Sequence, residues 1–239
     1  MTFDGKSGEP VFVTSKNVVE SEIYTQKRKV RGKNHNKKVS GLKNGEKLPI
    51  VFYNNRAVRE NHQSWSRHLG RIVRNPNICP IRVKSWKEIG KKEKDHMWES
   101  VKDKFENPDM ELYRDYTLEH MNTLWVNWRS CLNAKYVKPC KTVAEALKNK
   151  PEGMEKEDWE WLTKHFFTKD FQKISSQASQ NRAKSSMPHC TGSKPHRQII
   201  YDMGGKESNP PDMGILFFET RKKDGKLVEL KLKKNIFKL

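Results

Sequence analysis

The stretch YTLEHMNTLWVNWRSCLNAKY, Tyr116 to Tyr136, decides the fold. Its large apolar residues recur at alternating steps of three and four, the spacing that aligns side chains on one side of an α-helix. The six residues of this stripe are Leu118, Met121, Trp125, Trp128, Leu132 and Tyr136. Polar residues, Arg129 and Asn133 among them, fall on the opposite side, so other parts of the chain must cover the stripe. We predict a core helix in which the tryptophans are packing groups; stacking of these tryptophans on bases is the alternative.

A small β region is predicted before this helix. Leu48 to Tyr53 and Arg56 to Val58 read as two strands joined by Asn54-Asn55, a pair that accepts the positive φ angles of a tight turn. Pro49 restricts the first strand to a sheet edge, and Ile78 to Val83 is predicted to add a further strand.

Further helices are predicted on both sides of the central one. Ser85 with Glu88, and Thr142 with Glu145, have the spacing of capping boxes that begin helices. The predicted helices are Arg59 to Asn75, Ser85 to Asn107, Val143 to Lys148, Glu155 to Phe167, Lys169 to about Ser186, and Met213 to Thr220. The fold class is therefore mainly α: a multi-helix domain with a small N-terminal β-hairpin or sheet and a disordered basic N-terminal arm.

The charge balance points to an anionic partner. Lysine and arginine number 48 against 29 acidic residues, which gives a formal net charge of +19. Such an excess is self-repulsive in a compact fold unless an anion neutralises it. Nucleic acid is the favoured partner, with an acidic membrane surface or an acidic protein as alternatives.

Much of this charge lies near the N-terminus. Residues 26 to 47 hold nine lysines and arginines against the single acid Glu46, and Met1 to Gly45 shows no sustained periodicity. We predict a disordered arm over residues 1–45, a helical domain over 46–226 and a basic tail over 227–239. The arm residues predicted to contact DNA are Lys27, Arg28, Lys29, Arg31, Lys33, Lys37 and Lys38. The run Lys27 to Arg31 also fits a nuclear import signal, whereas a solvated linker is the alternative.

The cysteines argue against a zinc-binding protein, and the short apolar runs argue against a membrane protein. No CxxC pair occurs, so a zinc site is weakly supported; the nearest candidate is His189-Cys190 with His196, and Cys131 is predicted to be buried on the central helix. The longest apolar runs are much shorter than the ~20 residues that span a bilayer, and no secretory signal is recognisable at the start. We expect no membrane segment, no cofactor and reduced, intracellular cysteines.

The predicted helix from Lys169 onward differs from the others, because it is polar around most of its circumference. It carries side-chain types that contact bases and phosphates, and a turn rich in donors follows it. The residues predicted to contact DNA here are Gln177, Asn181, Arg182, Lys184 and Lys194. The alternative is a solvated surface helix.

Short motifs occur along both halves of the chain. The N-terminal half has Ser66 to Arg74, Ser85 to Ile89 and His96-Met97-Trp98. The C-terminal half has Trp128-Arg129, Glu157-Asp158-Trp159, Asn181 to Lys184, His189 with Gly192-Ser193-Lys194, Phe218-Glu219-Thr220 and Lys223-Asp224-Gly225. Their order and spacing resemble those of the plant transposase family Ptta/En/Spm. The resemblance covers roughly Gly32 to Val228. It implies a plant, transposon-derived protein that binds element DNA and works with other transposon-encoded proteins in the nucleus.

We expect no catalysis. Cutting DNA requires three carboxylates converging on two metal ions, and only Ile199 to Asp202 resembles a buried strand that ends in an acid. Acyl-transfer and phosphate-loop motifs are absent from the sequence. Two non-catalytic functions remain: binding of duplex DNA, and an RNA-binding or protein-interaction adaptor that uses the same basic surface.

Overall fold

The computed structural model describes residues 35–184, 189–192, 194–223 and 226–227, and the described residues from Asn36 onward form one compact unit. Helices dominate this part of the chain, which confirms the mainly α fold with a small N-terminal β region. In chain order the elements are α1 Lys37–Ser40, β1 Leu48–Pro49, β2 Val51–Tyr53, β3 Arg56–Val58, α2 His62–Ile72, α3 Lys91–Lys102, β4 Phe105–Glu106, α4 Arg114–Leu132, α5 Val143–Lys148, α6 Lys156–Phe166, α7 Lys169–Ala183, α8 His196–Asp202, α9 Met213–Glu219, β5 Lys222–Lys223 and β6 Lys226–Leu227.

The predicted scaffold helix is α4, and a π-helical turn, Asn133–Val137, extends it. Helix α4 contributes Leu118, Met121 and Trp125 to a cluster shared with α2, α3 and β4. Leu132, near its end, belongs to a second cluster with α5 and α6. Trp128 is only partly buried and touches both clusters, so α4 joins the two halves of the core.

Three residues of α4 and the π-helical turn that extends it differ from the sequence prediction. Arg129 and Asn133 were placed on the polar side but are 4% and 6% exposed. The Trp125 and Trp161 rings and the Val83 carbonyl surround the Arg129 guanidinium, and these contacts bury it. Cys131 was predicted to be buried and is exposed, since it lies about 100° around the helix from Leu132.

The β region contains the predicted hairpin and one unexpected pairing. β2 and β3 pair antiparallel, and Asn54 and Asn55 between them have φ of 45° and 64°, as the turn requires. β1 does not extend this hairpin: Leu48 pairs in parallel with Phe105 of β4. A parallel pair needs a long crossover, which α2 and α3 supply, so the sequence around Pro49 gave no local sign of it.

Ile78 to Val83 is not a strand, which corrects the prediction. Pro80 has no N–H to donate, and the neighbouring backbone is used by side chains. The Val83 carbonyl accepts a hydrogen bond from Arg129 at 2.7 Å, and the Arg82 guanidinium donates to Asp158 of α6 at 2.6 Å. Hydrogen bonds of individual side chains, and not a strand ladder, therefore hold this segment between the two core clusters.

One further predicted helix was wrong, and of the two predicted capping boxes neither forms completely. The helix predicted from Ser85 to Asn107 is a 3₁₀ turn, Trp86–Glu88, followed by α3, because Ile89 is extended and buries its side chain. Glu88 accepts from the Lys84 N–H and not from that of Ser85, so the reciprocal capping box does not form. The box at Thr142 forms in half: its hydroxyl accepts from the Glu145 N–H, whereas the Glu145 carboxylate accepts from Lys141.

Ile199 to Asp202, considered above as a strand, lies in α8. Ile199 and Ile200 pack with Leu216 of α9 in a third small cluster. A run of three apolar residues fits a strand or a helix equally, and burial by α9 decided the outcome.

Residues 36–45 were predicted to belong to the disordered arm, and this part of the prediction was wrong. Residues 36–45 belong to the folded unit: α1 lies there, Val39 is buried, and the buried Asn36 donates to the Ser64 carbonyl of α2 at 2.9 Å. A short helix anchored by two residues has no periodicity to detect. Residues 1–34 of the arm and 228–239 of the tail lie outside the described residues.

Candidate nucleic-acid interface

Helix α7 packs against the rest of the protein at its start and is exposed over its second half. The Thr168 hydroxyl caps its start by accepting a hydrogen bond from the Phe171 N–H. The Phe171 ring lies 4.9 Å from that of Phe166 and 5.1 Å from that of His165. From Ser176 to Lys184 every residue is exposed, and none of α7 is buried. The second half of α7 therefore presents its side chains to solvent.

Three of the four residues predicted on this helix form one stripe. Gln177, Asn181 and Lys184 recur at steps of four and three, and the Gln177 amide donates to the Asn181 side-chain oxygen at 3.0 Å. Arg182 lies about 100° around the helix from Asn181. The hydrogen bond between the Gln177 and Asn181 amides thus orients the two side chains in the middle of the stripe. Arg182 lies outside the stripe.

The same spacing adds two residues that the sequence reasoning missed. Lys173 precedes Gln177 by four positions, and Gln180 follows it by three, so both fall on the stripe. No Asp or Glu occurs between Phe171 and Lys184. We call this set the polar stripe: Lys173, Gln177, Gln180, Asn181 and Lys184.

Two of the other predicted contacts are already engaged within the fold. The Lys38 ammonium lies 2.9 Å from Glu60, whose pKa it lowers by hydrogen bonding and attraction, and also contacts Asn61. The Lys194 ammonium lies 2.8 Å from Asp202. Both pairs are partly exposed, so each lysine still adds positive charge to the surface. A DNA phosphate that binds either lysine must first break its existing ion pair.

The remaining arm residues are less defined by the structure. Lys37 is exposed at the surface of α1. The candidates Lys27, Arg28, Lys29, Arg31 and Lys33 lie outside the described residues.

A second basic surface is a cleft of about 560 Å³ between the β2–β3 hairpin, α2, α4 and the segment before α8. Sequence reasoning missed it, because its residues come from four separated segments. No carboxylate lies among the described residues that line it. Its basic and titratable lining is Arg56, His62, His120, His189, Lys194, His196 and Arg197.

Two histidines of this cleft, His120 and His196, have pKa values below the ordinary value. Burial lowers the pKa of His120 to about 4, with repulsion from Arg56 adding to the effect. Burial, then His189 and Arg221, lower the pKa of His196. The His62 Nδ1 contacts the Arg59 carbonyl, while its buried Nε2 has no partner among the described residues. The permanent charge of the cleft therefore comes from Arg56, Lys194 and Arg197.

No group of three or more His, Cys, Asp or Glu residues is arranged to hold a metal ion in the part of the chain that the structure describes. His189 and His196 do meet, with ring centroids 4.9 Å apart. Among the described helices, none combines the length and apolarity needed to cross a membrane.

Comparison with known families adds the last observation. Residues 155–238 match the plant transposase family Ptta/En/Spm. The Ptta/En/Spm match confirms the family resemblance for this segment and supports a transposon-derived protein. It contains α6 to α9 and the whole polar stripe, but begins well after the N-terminal motifs of the resemblance. Searches of curated proteins and of solved structures find no match.

Proposed function

We propose that the protein binds duplex DNA without catalysing its cleavage, and that the polar stripe of α7 reads the bases. The observation that carries this proposal is a helix with no buried residue, whose exposed stripe holds two lysines and three amides and no acid. A major groove admits one α-helix, in which Asn and Gln pair with adenine edges and Lys reaches guanine or phosphate. The match over residues 155–238 supports the proposal, because it includes this helix.

Positioning on the phosphate backbone is assigned to other residues. The arm supplies Lys27 to Lys33, and the surface of α1 adds Lys37. The basic cleft contributes Arg56 and Arg197, with Lys194 available when its pair with Asp202 opens. Contacts of this kind raise affinity for any duplex and carry no sequence information. The nucleus is the expected location, and other transposon-encoded proteins are the expected protein partners.

The non-catalytic part of the proposal is supported by how the one suspected acid is used. Asp202 lies on a helix, where Lys194 forms an ion pair with it and the Gln198 amide donates to it at 2.6 Å. These partners lower its pKa against the effect of burial. Such a carboxylate is satisfied by its own helix and loop.

The test begins with selection of bound sequences from a random duplex library. Asn181→Ala should then reduce the preference for the selected site over random duplex by about 1 to 3 kcal/mol. Arg182→Ala, off the stripe, should weaken both duplexes alike. Gln172→Ala is the matched control, because it removes an exposed amide from the same helix outside the stripe.

Full retention of site preference in Asn181→Ala and in Gln177→Ala would contradict reading by α7. Equal affinity of the parent for single-stranded RNA would instead favour the adaptor function, because RNA recognition depends on splayed bases and not on a duplex groove.

A further inference from the structure

A cavity of about 500 Å³ lies between α4, the 3₁₀ turn Trp86–Glu88 and the first turns of α7. Trp86, Trp125 and Phe171 supply aromatic wall. Two aliphatic side chains at its edge are unusually exposed: Val126 by 48% and Ile174 by 69%. This size and lining are typical of sites for small organic molecules.

Arg129 makes this cavity different from an ordinary surface groove. The side chain is 4% exposed, and its guanidinium carbon lies 4.1 Å from the centre of the Trp125 ring and 5.6 Å from that of Trp161. One nitrogen donates to the Val83 carbonyl, but Nη2 has no acceptor among the described residues. Within the same residues no carboxylate forms an ion pair with it.

The guanidinium nevertheless keeps its proton. Burial lowers its pKa to about 10, against attraction from Glu88, so it is cationic at neutral pH. A buried charge that lacks a counter-ion is costly to the fold. A folded protein that keeps such a buried cation would be stabilised by an anion bound next to it.

Neighbouring groups reinforce this requirement. The buried indole N–H of Trp125 is a second donor without an acceptor in the described part of the chain. Lys84 and Lys87 add positive charge to the lining, and Asp170 is the one carboxylate among its described residues. His165 contributes no charge at neutral pH, because burial, then Arg129 and Lys84, lower its pKa to about 4.

We propose that this cavity binds a carboxylate carried on an aromatic or aliphatic body, with the carboxylate paired to Arg129 and the body against Trp86, Trp125 and Ile174. A carboxylate matches the planar donors of a guanidinium in a bidentate pair. It also carries one charge, and its desolvation among aromatic walls costs less than that of a phosphate dianion. The proposal is independent of DNA binding by α7.

The test is calorimetric titration of the full-length protein with 2-naphthoate and with its neutral counterpart 2-naphthamide. The acid should bind at least tenfold more tightly than the amide. Arg129→Met keeps the length of the side chain and removes its charge, so it should abolish that difference. Its melting temperature should not fall below that of the parent, because the uncompensated buried charge is gone.

A second variant protects the test against a folding defect. Ile174→Asp changes an exposed residue at the edge of the cavity, so it should fold like the parent and weaken 2-naphthoate at least tenfold by repulsion. Ile215→Asp is the matched control, since Ile215 is also exposed, by 56%, and does not line the cavity.

A tripeptide ending in phenylalanine, with a free or an amidated C-terminus, distinguishes the source of the carboxylate. Tighter binding of the free peptide than of 2-naphthoate would assign the cavity to a protein C-terminus, and weaker binding to a small acid. Equal affinity for acid and amide, undiminished binding in both cavity variants, or tighter binding of thymidine 5′-phosphate than of 2-naphthoate would overturn the proposal.

Discussion

Trp125 and Trp128 lie one turn apart on α4, but they are buried to different degrees. Trp125 is 3% exposed and packs edge to face against Trp86 at 5.9 Å. Trp128 is only partly buried between the two clusters. Trp125→Ala should therefore cost about 3 to 5 kcal/mol of unfolding free energy, and Trp128→Ala clearly less. Urea denaturation measures both. Parent-like stability with loss of DNA binding would instead identify the two tryptophans as stacking platforms.

His120 gives the stability a pH dependence. Its pKa is about 4 in the folded protein and near 6.5 in the unfolded chain. Between these values only the unfolded chain takes up the proton, so stability falls as the pH drops from about 6.5 toward 4 and this contribution then levels off. The full loss is at most about 3 kcal/mol, from 1.36 kcal/mol for each pKa unit.

The variant His120→Gln isolates this contribution. His165 has a pKa shifted in the same direction, and carboxylates titrate near the same range, so the absolute pH profile is shared. Urea midpoints at pH 7.5 and 4.5 should therefore differ less in His120→Gln than in the parent. An unchanged difference would show that His120 is not held neutral.

At the scale of elements, α1 marks where the folded domain begins. Removal of residues 1–34 should leave stability unchanged, whereas removal of residues 1–45 should lower it, because the second truncation deletes the buried Asn36 and Val39. Losing one buried aliphatic side chain costs roughly 1.5 to 3 kcal/mol. Thermal melts of the two truncated proteins test this boundary. Equal melting temperatures would support the original prediction that the arm extends to residue 45.

Elements whose signal was local and long were predictable from the sequence. The stripe of α4, the turn at Asn54-Asn55 and the caps of α5 and α7 each depend on residues within a few positions of one another. Elements decided by distant partners were not. The β1–β4 pair and the irregular path of Ile78 to Val83 arise from contacts with residues far along the chain.

The candidate site divides in the same way. The polar stripe follows from helical spacing alone, so Gln177, Asn181 and Lys184 were predictable and Lys173 and Gln180 were within reach of the same rule. The basic cleft and the burial of Arg129 depend on how separate elements pack. Ion pairing of Lys38 and Lys194 was equally hidden, because Glu60 and Asp202 give no sequence sign of their partners.

For the whole molecule, the net charge of +19 governs how binding responds to salt. If six to ten phosphates are neutralised, affinity for duplex should fall roughly 10³-fold or more between 50 and 200 mM salt. Removal of residues 1–34 should reduce the slope of log K against log salt, since it deletes Lys27 to Lys33. Fluorescence anisotropy at several salt concentrations measures the slope, and a salt-independent affinity would rule out a polyanion partner.

The exposure of the second half of α7 also determines how easily the end of this helix unfolds locally. Tertiary packing holds Phe171 at its start, but every residue from Ser176 to Lys184 is exposed, so packing supports the backbone hydrogen bonds there much less. A helix of ~15 residues is marginal in water without packing, so its last turns should fray at a free energy far below that of global unfolding. A duplex lying along the polar stripe would stop this fraying. Binding would then slow amide hydrogen exchange in α7 while leaving exchange in α4 almost unchanged.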